Sequence, residues 1–304
     1  MNTQEILALQ ITKTEKIKRL LELGLTRTQV TQLTGGNYGF VQNVFAKYFP
    51  DQVQNKTYSF IPFNRKFGVE IEAHGITRAR LAQKLRAAGI EAETQGYNHN
   101  TAGCWKIITD GSVNGTDSFE IVSPILEGLS GLNQLEIVCR VLEENNIKIN
   151  KTCGLHIHFD ASGMRTEQVK NLLINYANFE EIIDSFLPTS RRANNNTYCK
   201  TVKGFEQRIQ TKTTINQMAQ EMGGRYYKVN LQSYSRHNTI EFRQHSGTVE
   251  FEKIANWIKF LHNMVEFSNK KKTTTMEATF VNLAKINQPE IINYIQRRIN
   301  QLAA

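Results

Sequence analysis

Three short stretches of the chain alternate apolar side chains with charged or imidazole side chains at a spacing of two residues. They are residues 67–73 with Glu70 and Glu72, residues 153–159 with His156 and His158, and residues 239–245 with Glu241, Arg243 and His245. Successive side chains of a β-strand point to opposite faces, so each stretch is predicted to be a strand with polar groups on one face. Adjacent carboxylates repel each other unless a cation offsets their charge. Three such strands side by side therefore predict a metal site built on a sheet.

Composition limits the class of protein that can carry such a sheet. The chain of 304 residues can form one large domain, or a domain of about 250 residues with a small module beside it. A hydrophobic content of 40% and a charged content of 21% are typical of a soluble globular protein. No apolar run reaches the roughly 18 residues of a membrane span, and the polar N-terminus is not a signal peptide. We therefore expect a cytoplasmic protein without a membrane partner.

Net charge indicates which partners the protein could bind, and cysteine content indicates the redox state of its compartment. The formal net charge of +9 favours polyanionic partners such as nucleic acid, nucleotide phosphates or acidic peptides. The cysteines at positions 104, 139, 153 and 199 lack the paired spacing of a zinc site. We interpret them as ordinary thiols in a reducing cytosol.

Residues 1–50 are predicted to form a separate helical module, followed by a linker at residues 51–62. The apolar pattern predicts helices over residues 13–23, 26–33 and 37–48, with a glycine turn at residues 35–36. This arrangement resembles the helix-turn-helix of DNA-binding proteins. On the last helix we expect Phe40, Val41, Val44 and Phe45 to face inward, and Asn37, Tyr38, Gln42, Asn43 and Lys47 to be exposed. The alternative is a three-helix docking module, because six basic residues against three acidic ones are only a modest excess.

From residue 63 the pattern predicts an α+β domain that extends to residue 304. Predicted strands cover residues 67–73, 90–94, 105–109, 119–122, 152–160, 225–232 and 238–245, with a turn at 233–237 between the last two. Predicted helices cover residues 78–88, 129–146, 167–187, 250–267 and 289–302. Strands and helices do not alternate regularly, so we expect an antiparallel sheet backed by helices.

The order of the motifs carries more information than any one of them. Each charged pair alone also fits a solvated strand face or a structural ion pair. The chain contains, in order, Gly68-Val-Glu-Ile-Glu72, Asp110-Gly-Ser112, Phe119-Glu-Ile-Val-Ser-Pro124, Cys153-Gly-Leu-His-Ile-His158 and Thr239-Ile-Glu-Phe-Arg243. This succession resembles the amidoligase family, which belongs to the carboxylate–amine ligases with the fold of glutamine synthetase and γ-glutamylcysteine synthetase. The resemblance spans roughly residues 63–270.

The resemblance implies a glutamine synthetase-like domain that joins a carboxylate to an amine, with ATP, through an acyl phosphate. Glu70, Glu72 and Glu120 would be metal ligands, and His156 and Glu241 would complete the coordination of a second ion. Carboxylate oxygens suit Mg²⁺, and the imidazole argues that Mn²⁺ is also tolerated. The resemblance also implies that His158 lies near the phosphates and that Arg243 stabilises the transferred group. Since no Gly-x-x-x-x-Gly-Lys-Ser/Thr loop is present, metals and arginines would have to hold the nucleotide.

Other assignments leave alternatives open. Glutamine synthetase supplies a further glutamate near the position of Glu120 that has no clear counterpart here, so Asp110 is assigned either as a ligand or as the base that deprotonates the amine. Arg191, Arg192, Arg225 and Asn230 are interpreted as substrate or nucleotide contacts, the alternative being solvated loop and sheet-edge residues. The sequence does not identify the carboxylate and amine, and a peptide or protein substrate is compatible with it.

Two other functions compete with the ligase. A metal-dependent hydrolase could use the same acids and histidines to activate water. Arg243 beside Glu241 argues against it, since hydrolysis needs no cation for a transferred phosphoryl group. In the other alternative the helical module binds DNA and the sheet is only a scaffold.

Overall fold

The computed structural model describes residues 2–25, 27–49, 62–270 and 278–303. The chain divides into two compact units, Met1–Ser59 and Phe60–Ala304. The predicted linker at residues 51–62 lies outside the described residues except for Pro62. Within the described residues, no helix combines the length and the apolar character needed to cross a membrane.

The described residues of the first unit form four helices: α1 (Thr3–Ala8), α2 (Lys13–Glu22), α3 (Arg27–Thr34) and α4 (Tyr38–Tyr48). Their buried side chains form one cluster, which comprises Ile6, Ile17, Leu20, Leu21, Val30, Val41 and Val44. Helix α1 was not predicted. It begins with a capping box, in which Asn2 accepts a hydrogen bond from the Glu5 backbone amide and the Glu5 carboxylate accepts one from the Asn2 amide. The short Asn2-x-x-Glu5 signal was therefore present in the sequence.

The turn between α3 and α4 and the N-terminus of α4 follow the prediction. Gly35 has a φ of +56°, a conformation that glycine adopts without strain, and the Asn37 side chain caps α4 by accepting from the Gly39 amide at 2.7 Å. Val41 and Val44 are buried as predicted. The prediction for Phe40 is wrong, because its side chain is 43% exposed. Seven residues separate Phe40 from Lys47, which places both on the same exposed face of α4.

The second unit is built on one mixed, mostly antiparallel sheet of eight strands. The strands are β1 (Lys66–Ala73), β2 (Ala92–Thr94), β3 (Trp105–Ile108), β4 (Phe119–Val122), β5 (Leu126–Glu127), β6 (Gly154–Asp160), β7 (Val229–Asn230) and β8 (Thr239–Ser246). Their order is β2-β3-β4-β1-β6-β8-β7, with β5 pairing the first residues of β1, and only the β2–β3 pair is parallel. The domain is therefore α+β, as predicted.

Long helices back the apolar face of the sheet. The helices of this unit are α5 (Arg78–Ala87), α6 (Gly128–Glu144), α7 (Thr166–Ser185), α8 (Glu206–Gln210), α9 (Ile215–Met222), α10 (Gln232–His237), α11 (Phe251–Ser268), α12 (Phe280–Ala284) and α13 (Pro289–Ala303). Leu135, Leu172 and Leu261 of the long helices α6, α7 and α11 share one buried cluster with Val69, Ile157 and Phe242 of the central strands. The apolar half of each alternating strand is thus used for the core, which leaves the polar half on the opposite face.

The segment before β8 differs from the prediction. Residues 225–232 form only the two-residue strand β7, and the predicted turn at 233–237 is helix α10. Before β7 the backbone pairs instead with Lys200, whose carbonyl accepts from the Lys228 amide at 2.8 Å. Ser233 Oγ then donates to the Thr239 carbonyl at 2.7 Å, and Asn238 takes a left-handed conformation with a φ of 52°. These contacts end α10 and start β8 within one residue.

A β-bulge changes the face of the last predicted site histidine. Leu155 pairs with His245 and Ile157 pairs with Phe242, so Arg243 and Gln244 together oppose a single residue of β6. The extra residue turns His245 to the apolar face, where its ring lies 5.4 Å from the Trp257 ring of α11. The prediction that His245 shares a face with Glu241 and Arg243 is therefore wrong.

Candidate active site

Strand register brings the polar residues of four strands together. Glu70 of β1 pairs with His156 of β6, and Glu72 of β1 pairs with Glu120 of β4. On the other side of β6, His158 pairs with Glu241 of β8. Directly opposed residues of antiparallel strands have Cβ atoms about 5 Å apart, so their side chains meet. The result is a floor of carboxylates and imidazoles on the sheet face opposite the helices.

His156 lies at the centre of this floor and belongs to two groups of potential ligands. In the first group its Nδ1 lies 3.1 Å from Glu70 Oε2 and 3.7 Å from Glu241 Oε1. In the second group its Nε2 lies 3.7 Å from Glu72 Oε1, and Glu120 completes the group. Within each group, one ligand atom per residue lies within 4.8 Å of the others. These five residues are the ones that the resemblance assigned to metal.

The charges of the floor are only partly offset by protein groups. Burial alone would raise the pKa of Glu70, but the neighbouring His158 and His156 hold it well below its usual range. Burial and the charges of Glu70, Glu72 and Asp110 raise the pKa of Glu120 well above its usual range. A bound cation would offset the neighbouring negative charges and lower the pKa of Glu120 again.

His158 extends the floor toward the open side. Its Nδ1 lies 3.0 Å from Thr239 Oγ1, and its Nε2 lies 3.2 Å from Glu70 Oε1. The buried Nε2 also lies 3.9 Å from Glu241 Oε1, so it faces two carboxylates. The donor set of the floor is four carboxylates and the imidazoles of His156 and His158. Carboxylate oxygens are hard ligands that fit Mg²⁺, and the imidazole nitrogens also fit Mn²⁺.

Both carboxylate oxygens of Glu241 have protein partners. Arg243 NH1 donates to Oε1, and Asn230 Nδ2 donates to Oε2 at 2.5 Å. The structure thus places Asn230 against a predicted metal ligand, at the end of β7. Arg243 also donates from Nε to the Tyr198 carbonyl at 3.4 Å, and its side chain is 12% exposed.

The other predicted residues lie outside the two ligand groups. Asp110 accepts two hydrogen bonds through Oδ1, from the Ser112 amide at 2.7 Å and the Ser112 hydroxyl at 2.6 Å. Its negative charge is one of those that raise the pKa of Glu120. Arg192 donates to the Leu187 carbonyl at 2.7 Å. Arg225 is exposed and stacks on Tyr226, with its guanidinium carbon 5.2 Å from the ring centre.

Arg191, the fourth of the predicted polar contacts, is buried beside the residue that precedes β6. Its NH2 donates to the Cys153 carbonyl at 2.6 Å, just before the first residue of β6. Arg191 therefore stabilises the backbone at the start of β6, the strand that carries His156.

A cleft of about 320 Å³ opens over one side of the floor. The sheet contributes Gly68, Glu70, Lys106, Glu120 and His158 to its lining. Its walls are formed by residues 98–101, by Ser123, Pro124 and Ile125, and by His237, Asn238 and Thr239. A cleft of this size can hold a small-molecule ligand beside the carboxylates.

Sequence reasoning missed Lys106. It is the one charged residue in the strand predicted at residues 105–109, and it is 2% exposed. Lysine is almost never fully buried unless it has a partner, so a lone lysine in an apolar strand was a usable signal.

Comparison with known families agrees with this geometry. A family model described as "Putative amidoligase enzyme" matches residues 63–265, which is more than half of the chain. The chain therefore belongs to the amidoligase family. No curated protein matches the sequence.

Proposed function

We propose that this amidoligase is an ATP- and Mg²⁺-dependent carboxylate–amine ligase that forms an amide bond through an acyl phosphate. The observation that carries the proposal is the pair of ligand groups centred on His156, in a chain that belongs to the amidoligase family. A phosphoryl-transfer enzyme needs preorganised positive charge over a rigid surface, and a sheet provides such a surface.

The two ligand groups define where the metal would be held. Glu70, His156 and Glu241 would hold one ion, and Glu72 and Glu120 would provide the carboxylates for another. Bound Mg²⁺ would neutralise the charge of the triphosphate. The Gly154 amide, which donates to Glu72 Oε2 at 2.6 Å, fixes one of these carboxylates on the floor.

The chemistry has two steps, and specific side chains serve each. In the first step a carboxylate oxygen of the substrate attacks the γ-phosphorus of ATP, and ADP leaves. Arg243 would stabilise the charge of the transferred group, and His158 would contact the phosphates. In the second step the amine attacks the acyl carbon and inorganic phosphate leaves. Asp110 would accept the proton that the amine loses, and Arg192, Arg225 and Asn230 stand as proposed nucleotide or substrate contacts.

Hydroxylamine provides a direct test without a known amine substrate. The protein would be incubated with Mg²⁺, ATP, hydroxylamine and a panel of amino acids, peptides and dicarboxylates. A ligase should release ADP and form a hydroxamate, both dependent on one carboxylate of the panel. The Glu241→Gln variant should do neither. Carboxylate-independent hydrolysis, or product formation without ATP, would favour the hydrolase and overturn the ligase.

We also propose that the first unit binds duplex DNA through α4. Two observations support this: the short α3–α4 connection, and an exposed face of α4 that carries Phe40, Asn43 and Lys47. An apolar ring can contact a thymine methyl group, asparagine can pair with adenine, and lysine can contact phosphate. Selection from a pool of random duplexes by the full chain should enrich a sequence motif, and recovery of an unenriched pool would favour a docking module.

A further inference from the structure

Lys106 lies in the same cross-strand row as the predicted metal ligands. It pairs with Val122 of β4, and Val122 pairs with Glu70 of β1. Residues in register on neighbouring strands share a face, so Lys106 and Glu70 point to the same side of the sheet. Two strand spacings of about 4.8 Å separate their backbones by roughly 10 Å.

The ammonium group of Lys106 is held only by neutral acceptors. Nζ donates to the Asn100 carbonyl at 2.6 Å, to Asn98 Oδ1 at 3.1 Å and to the Asn98 carbonyl at 3.3 Å. Among the described residues no carboxylate forms an ion pair with Nζ. Burial lowers the pKa of Lys106, and the charges of Glu120 and Glu70 oppose this effect without contacting the ammonium group. A buried ammonium without a contacting anion is costly, so an anionic ligand at Nζ would stabilise it.

The cleft gives this charge access to a ligand. Lys106 is part of its lining, and the other lysine of the lining, Lys66, is exposed. Across the floor lie carboxylates, which repel a polyanion unless cations stand beside them. A phosphate chain that reaches the Glu70 group would therefore meet Lys106 at the far wall of the cleft.

We propose that Lys106 is a further binding residue of the active site, and that its ammonium binds a phosphate group of the nucleotide. Binding would exchange the weaker Asn98 contacts for phosphate oxygens, which form shorter and stronger charge-assisted bonds. This inference rests on the proposed function in one respect, namely that the ligand of the cleft is ATP. A purely structural alternative also exists, in which Lys106 only fastens residues 98–100 to β3.

Titration calorimetry with the full chain and Mg²⁺ separates these possibilities. The probes are a non-hydrolysable ATP analogue and adenosine, and the variants are Lys106→Met, Lys106→Arg and the control Lys84→Met. Lys84 is exposed on α5 and lies outside the cleft. We expect Lys106→Met to weaken analogue binding by about tenfold or more, with adenosine binding unchanged. Lys106→Arg should recover part of the affinity, and Lys84→Met should match the wild type.

Each remaining outcome is decisive. If the wild type does not bind the analogue, both the ligase proposal and this inference are overturned. If the wild type and Lys106→Met bind it equally, only the role of Lys106 is overturned. Weaker adenosine binding to the same extent would show a structural role.

Discussion

At Glu241, two neighbouring side chains hold one carboxylate in place. Arg243 and Asn230 bind separate oxygens of Glu241, and the third neighbour, His156, lies 3.7 Å away. Burial alone would raise the pKa of Glu241, but the charges of Arg243 and His158 lower it below its usual value. These contacts orient the carboxylate and favour its ionised form, which suits the metal-ligand role proposed for it.

Substitution at Glu241 and Arg243 should separate metal binding from turnover. Glu241→Gln keeps the volume and removes a charge, so the rise in melting temperature caused by Mg²⁺ should be lost. Arg243→Lys keeps the charge but loses the planar guanidinium, so the Mg²⁺ response should remain while turnover falls by about 100-fold. Thermal melts with and without Mg²⁺, together with ADP release, provide the measurement. Equal destabilisation of both variants, by about 3 kcal/mol or more with an unchanged Mg²⁺ response, would instead mark a structural ion pair.

His245 should make stability depend on pH. Burial lowers its pKa to about 4, so the folded protein keeps the ring neutral while the unfolded chain binds a proton below about pH 6.5. Its contribution to stability is therefore complete above pH 6.5 and is lost as the pH falls. Between pH 6.5 and pH 5 the loss should be about 2 kcal/mol.

Urea unfolding of the wild type and of His245→Phe at pH 5 to 7.5 isolates this contribution, because other titrating groups are common to both proteins. The variant should show the shallower dependence on pH. Parallel curves would contradict the assignment of a neutral, buried His245.

At the scale of single elements, periodicity predicted which polar side chains share a strand face. The period-two pattern of β1, β6 and β8 correctly predicted that Glu70, His156 and Glu241 lie on one face of the sheet. Pairing is regular between Glu70 and His156 and between His158 and Glu241, so the alternation of side chains holds there. The bulge in β8 could not be predicted in this way. Just beyond the bulge the two backbones come close together, and a Cβ added at Gly247 would lie only 2.5 Å from Cys153 Cβ. The alternating pattern carries no sign of either feature.

Short elements were harder to predict from the sequence than long ones. Helix α10 has six residues, and its N-terminus and the start of β8 are linked by the Ser233 hydroxyl. Such a helix is stabilised by tertiary contacts and carries little periodic signal of its own. The long helices α6, α7 and α11 were predicted to within a few residues, since each has a continuous apolar stripe.

Helix α4 provides a prediction at the same scale. If it binds DNA, Lys47→Ala should weaken binding similarly on all sequences and reduce the slope of log affinity against log salt by about one. Fluorescence anisotropy at 50 to 200 mM salt measures both quantities, and Lys84→Ala serves as the control. An affinity that does not change over this range would argue that nucleic acid is not the partner of this unit.

For the whole molecule, the division into two compact units predicts separable activities. Mg²⁺ with a non-hydrolysable ATP analogue should stabilise the full chain by about 2.7 kcal/mol at a ligand concentration 100 times the dissociation constant. Deletion of residues 1–59 should leave this stabilisation intact, because every ligand-group residue lies in Phe60–Ala304. Differential scanning fluorimetry of the two proteins measures it. Loss of the stabilisation in a deletion variant that still melts cooperatively would show that the nucleotide site needs the first unit.

The central place of His156 means that its ring could serve only one of the two ligand groups at a time. A neutral imidazole carries its single proton on either Nδ1 or Nε2, and only the nitrogen without the proton can be a ligand. Nδ1 faces the Glu70 and Glu241 carboxylates, while Nε2 faces Glu72. The tautomer of one side chain therefore selects which group includes an imidazole, and the other group must complete its coordination with carboxylates and solvent. The two ligand groups would then differ chemically, although His156 lies between them and within reach of both.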